Sequence, residues 1–149
     1  MDAMELLKND HEQVKKILEE IDSTTEKGVK TREELFTKFK SEMTVHERIE
    51  EEIFYPRLTE QAKTKEIALE GFEEHHVVDM VMAELDDVPF DDETWGAKFT
   101  VMKENIEHHV EEEEGEMFKL ARQALESDEL EELGARMEAR KKELQEASG

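Results

Sequence analysis

The chain has 149 residues, which suits one domain and is enough to bury a core. Hydrophobic residues make up 36% and charged residues 42%, with only 2 prolines, a balance that suits amphipathic helices better than sheet. A formal net charge of −22 argues against nucleic acid or an anionic membrane as partner, and the absence of cysteine leaves only nitrogen and oxygen to hold any metal.

Residues 1–25 have no basic start followed by an apolar run, and nothing approaches the ~18 consecutive apolar residues of a membrane span, so the expected setting is cytoplasmic. The spacing predicts a first helix over 3–27, with Leu7, His11, Val14, Ile17, Leu18 and Ile21 inward and Gly28 ending it. Thr31 then opens a second helix, with Glu34 completing a capping box. Its apolar face, Phe36, Phe39, Met43, Ile53 and Phe54, includes His46 and Glu50, one turn apart. Pro56 is expected to kink or end this helix near Tyr55.

A third helix over 64–85 carries His75, and residues 86–92 form a loop rich in turn residues. Trp95 is expected to cover one end of the bundle. A fourth helix over 93–125 carries His109 and Glu113, with Gly115 a weak point inside it. After Ser127 a shorter amphipathic segment places Leu130, Leu133, Met137 and Leu144 on one side, to pack on the bundle or against another subunit.

Much of this occurs twice. An offset of 63 residues aligns Phe36 with Phe99, His46 with His109 and Glu50 with Glu113, and an offset of 64 aligns His11 with His75 and Val14 with Val78. Short connections then favour an all-α, antiparallel up-down-up-down four-helix bundle over 1–126, with a short additional C-terminal helix over 127–149. Each histidine lies about halfway along its helix, so alternating direction still brings all four to one level.

The candidate site is therefore His11, His46, Glu50, His75, His109 and Glu113. A lone histidine on an apolar face is more often a satisfied core residue, but repetition with two inward carboxylates is not explained that way. A single zinc is satisfied by about four ligands, so six point to two metals bridged by carboxylates. Imidazole and carboxylate suit iron or manganese. Only Glu73 and His76 have the Glu-x-x-His spacing of ferritin-type sites, and one copy does not make such a site.

The motifs Asn9-Asp10-His11, His46 through Pro56, Glu73 through His76 and His108 through Glu114 resemble the hemerythrin-like, HHE cation-binding family. The resemblance implies a non-haem centre of two iron ions, oxo- or hydroxo-bridged, with Glu50 and Glu113 bridging and His11, His46, His75 and His109 terminal. Oxygen-carrying hemerythrins have a fifth histidine one turn after the third-helix histidine and an aspartate as last carboxylate. Here those places hold Asp79 and Glu113. The expected ligands fill about ten of about twelve positions on two six-coordinate irons, leaving about two open.

Tyr55, at i+5 from Glu50, is a candidate phenolate ligand if the helix is distorted, and Asp79 is a candidate to reach the metal or to orient a histidine. His76 and His108 are expected off the core face. Glu47, Glu51, Glu112 and Glu114 are expected to accept hydrogen bonds or pair with surface bases. The first functional reading is a protein that binds dioxygen or a related small oxidant. The alternatives are an enzyme acting on hydrogen peroxide (catalase-like) or nitric oxide, and an iron or oxygen sensor or iron store, in each case as a monomer or weak homodimer.

Overall fold

The computed structural model describes residues 1–148. Helix α1 spans Ala3–Asp22, α2 Val29–Ile49, α3 Tyr55–Thr59, α4 Ala62–Asp86, α5 Glu93–Glu112, α6 Phe118–Ala124 and α7 Ser127–Ser148. Two π-helical turns, Glu50–Phe54 and Glu113–Met117, join α2 to α3 and α5 to α6, so each pair is one continuous arm. No strand occurs among the described residues, and none of their helices is long and apolar enough to cross a membrane. Residues 23–28, 60–61 and 87–92 are the short connections that turn the chain back, and α1 packs on α2, α3 on α4, α4 on α5 and α5 on α1.

The element ends show where side chains overrule periodicity. Helix α1 is expected to reach residue 27 but stops at Asp22, because the Ser23 hydroxyl donates to the Glu20 carbonyl at 2.7 Å and the Thr24 hydroxyl to the Ile21 carbonyl at 2.6 Å. The expected capping box at Thr31 is not used. Helix α2 starts at Val29 behind Gly28, with no side-chain cap. Arg32 closes this end instead: its guanidinium donates to the Phe90 carbonyl at 2.7 Å and to Thr24, and lies 4.6 Å over the buried Trp95 ring.

Pro56 does not end its helix. The Tyr55 N–H reaches back to the Glu50 carbonyl, closing a wide turn, and Pro56 then falls in the first turn of α3, where a missing donor is tolerated.

The buried apolar residues form two layers. One, toward the 23–28 and 87–92 connections, contains Phe36, Phe39, Met43, Trp95, Phe99 and Met102. The other contains Met4, Leu7, Phe54, Leu58, Phe118 and, from α7, Leu130, Leu133 and Met137. Helix α7 is 22 residues long and lies along α1 and α2. Its Arg57–Glu129 and Arg140–Glu52 ion pairs tie it to the second arm. Gly134 permits this seat, since a Cβ there would stand 2.7 Å from the Asp2 carbonyl carbon and 2.8 Å from the Ala3 nitrogen.

Because the atoms opposing Gly134 are backbone, they cannot rotate away. Gly134→Ala is expected to lift α7 and cost about 1–3 kcal/mol, read as a lower midpoint in denaturant unfolding; an unchanged midpoint would show that α7 is not held here.

Candidate metal centre

Between the two apolar layers lies one polar level. His11, His46, His75 and His109 are each at most 4% exposed, and Glu50 and Glu113 are fully buried. Two carboxylates in a dry core need positive charge opposite them. Glu50 Oε1 stands 3.1 Å from His46 Nε2 and 3.0 Å from His75 Nε2, while Glu113 Oε2 is 2.8 Å from His109 Nε2 and its Oε1 3.8 Å from His11 Nε2. Each carboxylate thus spans the gap between the His11–His46 pair and the His75–His109 pair, whose rings meet edge to face at 4.9 Å within each pair.

All four Nε2 atoms face inward because all four Nδ1 atoms are held from outside. His46 Nδ1 donates to Asp10 at 3.0 Å, His75 to Glu51 at 2.7 Å, His109 to Glu74 at 2.6 Å and His11 to Glu114 at 2.6 Å. The four bonds run in a circle: α1 serves α2, the second arm serves α4, α4 serves α5 and the fourth arm serves α1. Each accepting carboxylate is the chain neighbour of an inward residue on its own helix. A neutral imidazole with its proton on Nδ1 presents an Nε2 lone pair, the form that binds a metal.

The inward atoms suit a cation. Among the described residues, His11 Nε2, His46 Nε2, both Glu50 oxygens and Glu113 Oε1 are buried without a hydrogen-bond partner. His46 Nε2 and Glu50 Oε1 are close but lack hydrogen-bond alignment; they aim at shared space rather than at each other. Donor atoms of His11, His46 and Glu50 lie within 4.8 Å of one another, and so do those of Glu50, His75 and His109, so Glu50 belongs to both groups.

Titration follows from the same packing. Burial lowers the basicity of His75 and His109, but the carboxylates of Glu50 and Glu51, and of Glu113 and Glu74, outweigh it and raise these imidazoles to about 9 and about 10. His46 is raised well above its ordinary 6.5 in the same contest, with Glu50 and Asp10 prevailing over burial. Burial also works to raise Glu50, but the charge of the facing His46, with His75 beside it, holds it well below the usual carboxylate range. Burial and the charge of Glu50 push Glu113 up.

Tyr55 lies in this centre. The π-helical turn adds one residue between Glu50 and Tyr55, so a side chain five positions on points inward with its hydroxyl donating to Glu113 Oε2 at 2.9 Å. That hydroxyl is 3.3 Å from His109 Nε2 and 3.5 Å from His75 Nε2. Burial and the charges of Glu113 and Glu50 push the phenol well above 10, so it stays protonated. Its counterpart at the 63-residue offset is Phe118, stacked over His11 at 6.5 Å as Tyr55 is over His75 at 5.3 Å. One half of the centre carries a hydroxyl and the other does not.

Asp79 is exposed and bonds Glu47, which burial and Asp79 together raise to about 9; the four Nδ1 atoms are all taken by other carboxylates. His76 and His108 are exposed. The sequence reading missed Asp10 and Glu74 as Nδ1 partners and did not separate Glu51 and Glu114 from the other surface acids. The repeat held the signal: the offsets that pair the inward residues also pair Asp10 with Glu74 and Glu51 with Glu114.

A family profile described as the hemerythrin HHE cation binding domain matches residues 2–121. Among solved structures, the chain is similar to a hemerythrin HHE cation binding domain-containing protein, an Rv2633c homolog from Mycobacterium kansasii. The identity is 26% and the TM-score 0.88, with 99% of this chain and 89% of that one covered. No curated protein matches the chain.

Two outcomes are expected from this geometry. In chelator-stripped protein, His75 and His109 are more basic folded than unfolded, so their stabilisation is complete below about 6.5 and lost as pH rises through about 9 to about 10. The thermal midpoint should fall over that interval, and a flat profile would contradict the pairing. Second, a Cβ at Gly71 would stand 2.8 Å from the Tyr55 ring. Gly71→Ala should displace the phenol and bring its alkaline absorbance transition down toward 10. The chain has a single tyrosine, so the signal is unambiguous.

Proposed function

The chain belongs to the hemerythrin HHE cation-binding family, and from that premise we propose that it is a non-haem di-iron protein whose carboxylate-bridged centre binds dioxygen or a related small oxidant. The observation that carries this reading is the pair of donor groups sharing Glu50, with buried Nε2 and carboxylate atoms that have no hydrogen-bond partner among the described residues. In the proposal His11 and His46 would hold one iron, His75 and His109 the other, and Glu50 and Glu113 would be shared between them. When bound, the iron pair supplies Lewis acidity and redox equivalents.

The protein's share of the chemistry is positional. The circle of carboxylates fixes each imidazole in the ligating tautomer, and both apolar layers keep bulk water from the polar level. Tyr55 holds Glu113 through its hydroxyl and keeps a proton beside His75 and His109. Phe118 offers no proton at the matching place. A small oxidant is therefore expected to be held on the His75–His109 side, where a donor is available.

Tyr55 also favours a second reading, turnover of hydrogen peroxide to dioxygen and water, because a buried phenol can give and recover a proton at one atom. Dioxygen binding and peroxide turnover differ in what is measured: gas released rapidly from peroxide by the iron-loaded protein supports turnover, and inertness supports binding alone.

His46→Ala or Glu113→Ala is expected to prevent loading of two irons per chain while leaving most of the helix content, and His76→Ala to leave loading unchanged. Metal analysis and circular dichroism read both. Tyr55→Phe should keep the iron and lower any peroxide turnover by at least about tenfold. Iron retention without His46 or Glu113 would sink the assignment.

A further inference from the structure

Asp10 differs from the other three carboxylates that hold the imidazoles. Its side chain is 7% exposed, against 30% for Glu74, 34% for Glu114 and 35% for Glu51. It also has a second partner. While one oxygen accepts from His46 Nδ1 at 3.0 Å, the other accepts from Lys141 Nζ at 2.5 Å. Among the described residues no lysine or arginine forms an ion pair with Glu51, Glu74 or Glu114. Lys141 belongs to α7, outside the residues that match the family profile.

The contact is set by the fold. Helix α7 is fixed by Leu130, Leu133 and Met137 in the core, by Gly134 against the start of α1 and by Arg140 on Glu52, so Lys141 arrives beside the α1–α2 seam. A cleft of about 350 Å³ opens there, lined by Asp10, His46, Val45, Lys141 and Gln145 among others. Beside that cleft a carboxylate with only one hydrogen bond has other rotamers open to it. The ammonium removes them, because leaving it would strand a largely buried charge.

We propose that Lys141 is a positioning residue for the metal centre: through Asp10 it holds His46 with Nε2 inward, so that the His11–His46 half depends on the tail helix and the His75–His109 half does not. The proposal rests on the two-metal reading above. It makes the tail part of the site rather than an addition to the bundle.

The test uses the full chain loaded with ferrous iron in the absence of air and then challenged with a chromogenic ferrous chelator. Wild type should yield two equivalents. In Lys141→Met one equivalent should leave at least about tenfold faster, the scale of effect that loss of an outer partner has on a metal ligand, and the other at the wild-type rate. Lys141→Arg, which keeps the charge, should restore slow release. Lys142→Met, at the exposed neighbouring position, should match wild type. A Lys141→Met protein that releases iron as wild type does, or that loses both equivalents faster alike, overturns the inference. So does an equal effect of Lys142→Met. A wild-type chain that takes up fewer than two equivalents overturns the two-metal reading instead.

Discussion

The cost of placing two carboxylates in a dry core governs the rest of this structure. Glu50 and Glu113 are fully buried at the middle of a bundle whose other inward residues are almost all apolar or imidazole. An ion so placed is tolerated only with opposite charge close by, and only the four histidines reach it. They do so because each is turned by a carboxylate on the neighbouring helix. Negative charge at the centre is thus met by imidazoles, of which His46, His75 and His109 are made more basic by the carboxylates around them. That arrangement suits a cation, and without one His46, His75 and His109 hold protons more tightly instead. Metal and proton therefore compete for the same Nε2 atoms.

The sequence repeat gives this centre two related halves, and two features distinguish them. Tyr55 over His75 is matched by Phe118 over His11, which puts the buried hydroxyl on one side only. Asp10 behind His46 is matched by Glu74 behind His109, but among the described residues only Asp10 of the two is tied to the tail helix. In a two-metal centre those differences separate the side where a proton can be supplied from the side whose geometry is stiffened. The α7 seat at Gly134 and the π-helical turn after Glu50 are the backbone features that create them.

The six inward residues were legible because spacing alone carries them: His46 and Glu50, like His109 and Glu113, are four apart on an apolar face, and the repeat excludes coincidence. The bundle followed from the same periodicity, and the loop expected over 86–92 from its turn residues, with α4 running to Asp86. What spacing cannot express was harder to read. A π-helical turn breaks the 3.6 period, so Tyr55 was placed inside only on the condition that the helix be distorted. The Nδ1 partners sit one residue beside the inward positions, on the margin of each helix, where acids look like solvated surface. Helix α1 ended five residues early because Ser23 and Thr24 compete for its last carbonyls, a local effect with no periodic trace. Lys141 carries no signal of its own; its importance comes from a contact 131 residues away in the chain.

The central claim, a bridged pair of irons sharing Glu50 and Glu113, is tested most directly by low-temperature electron paramagnetic resonance of the oxidised, iron-loaded protein alongside its iron content. Two ferric ions coupled through a bridge cancel each other's spin, so the account predicts two irons per chain and no resonance from the bulk of the iron. A high-spin ferric signal that accounts for the iron present, at one ion per chain, would contradict it.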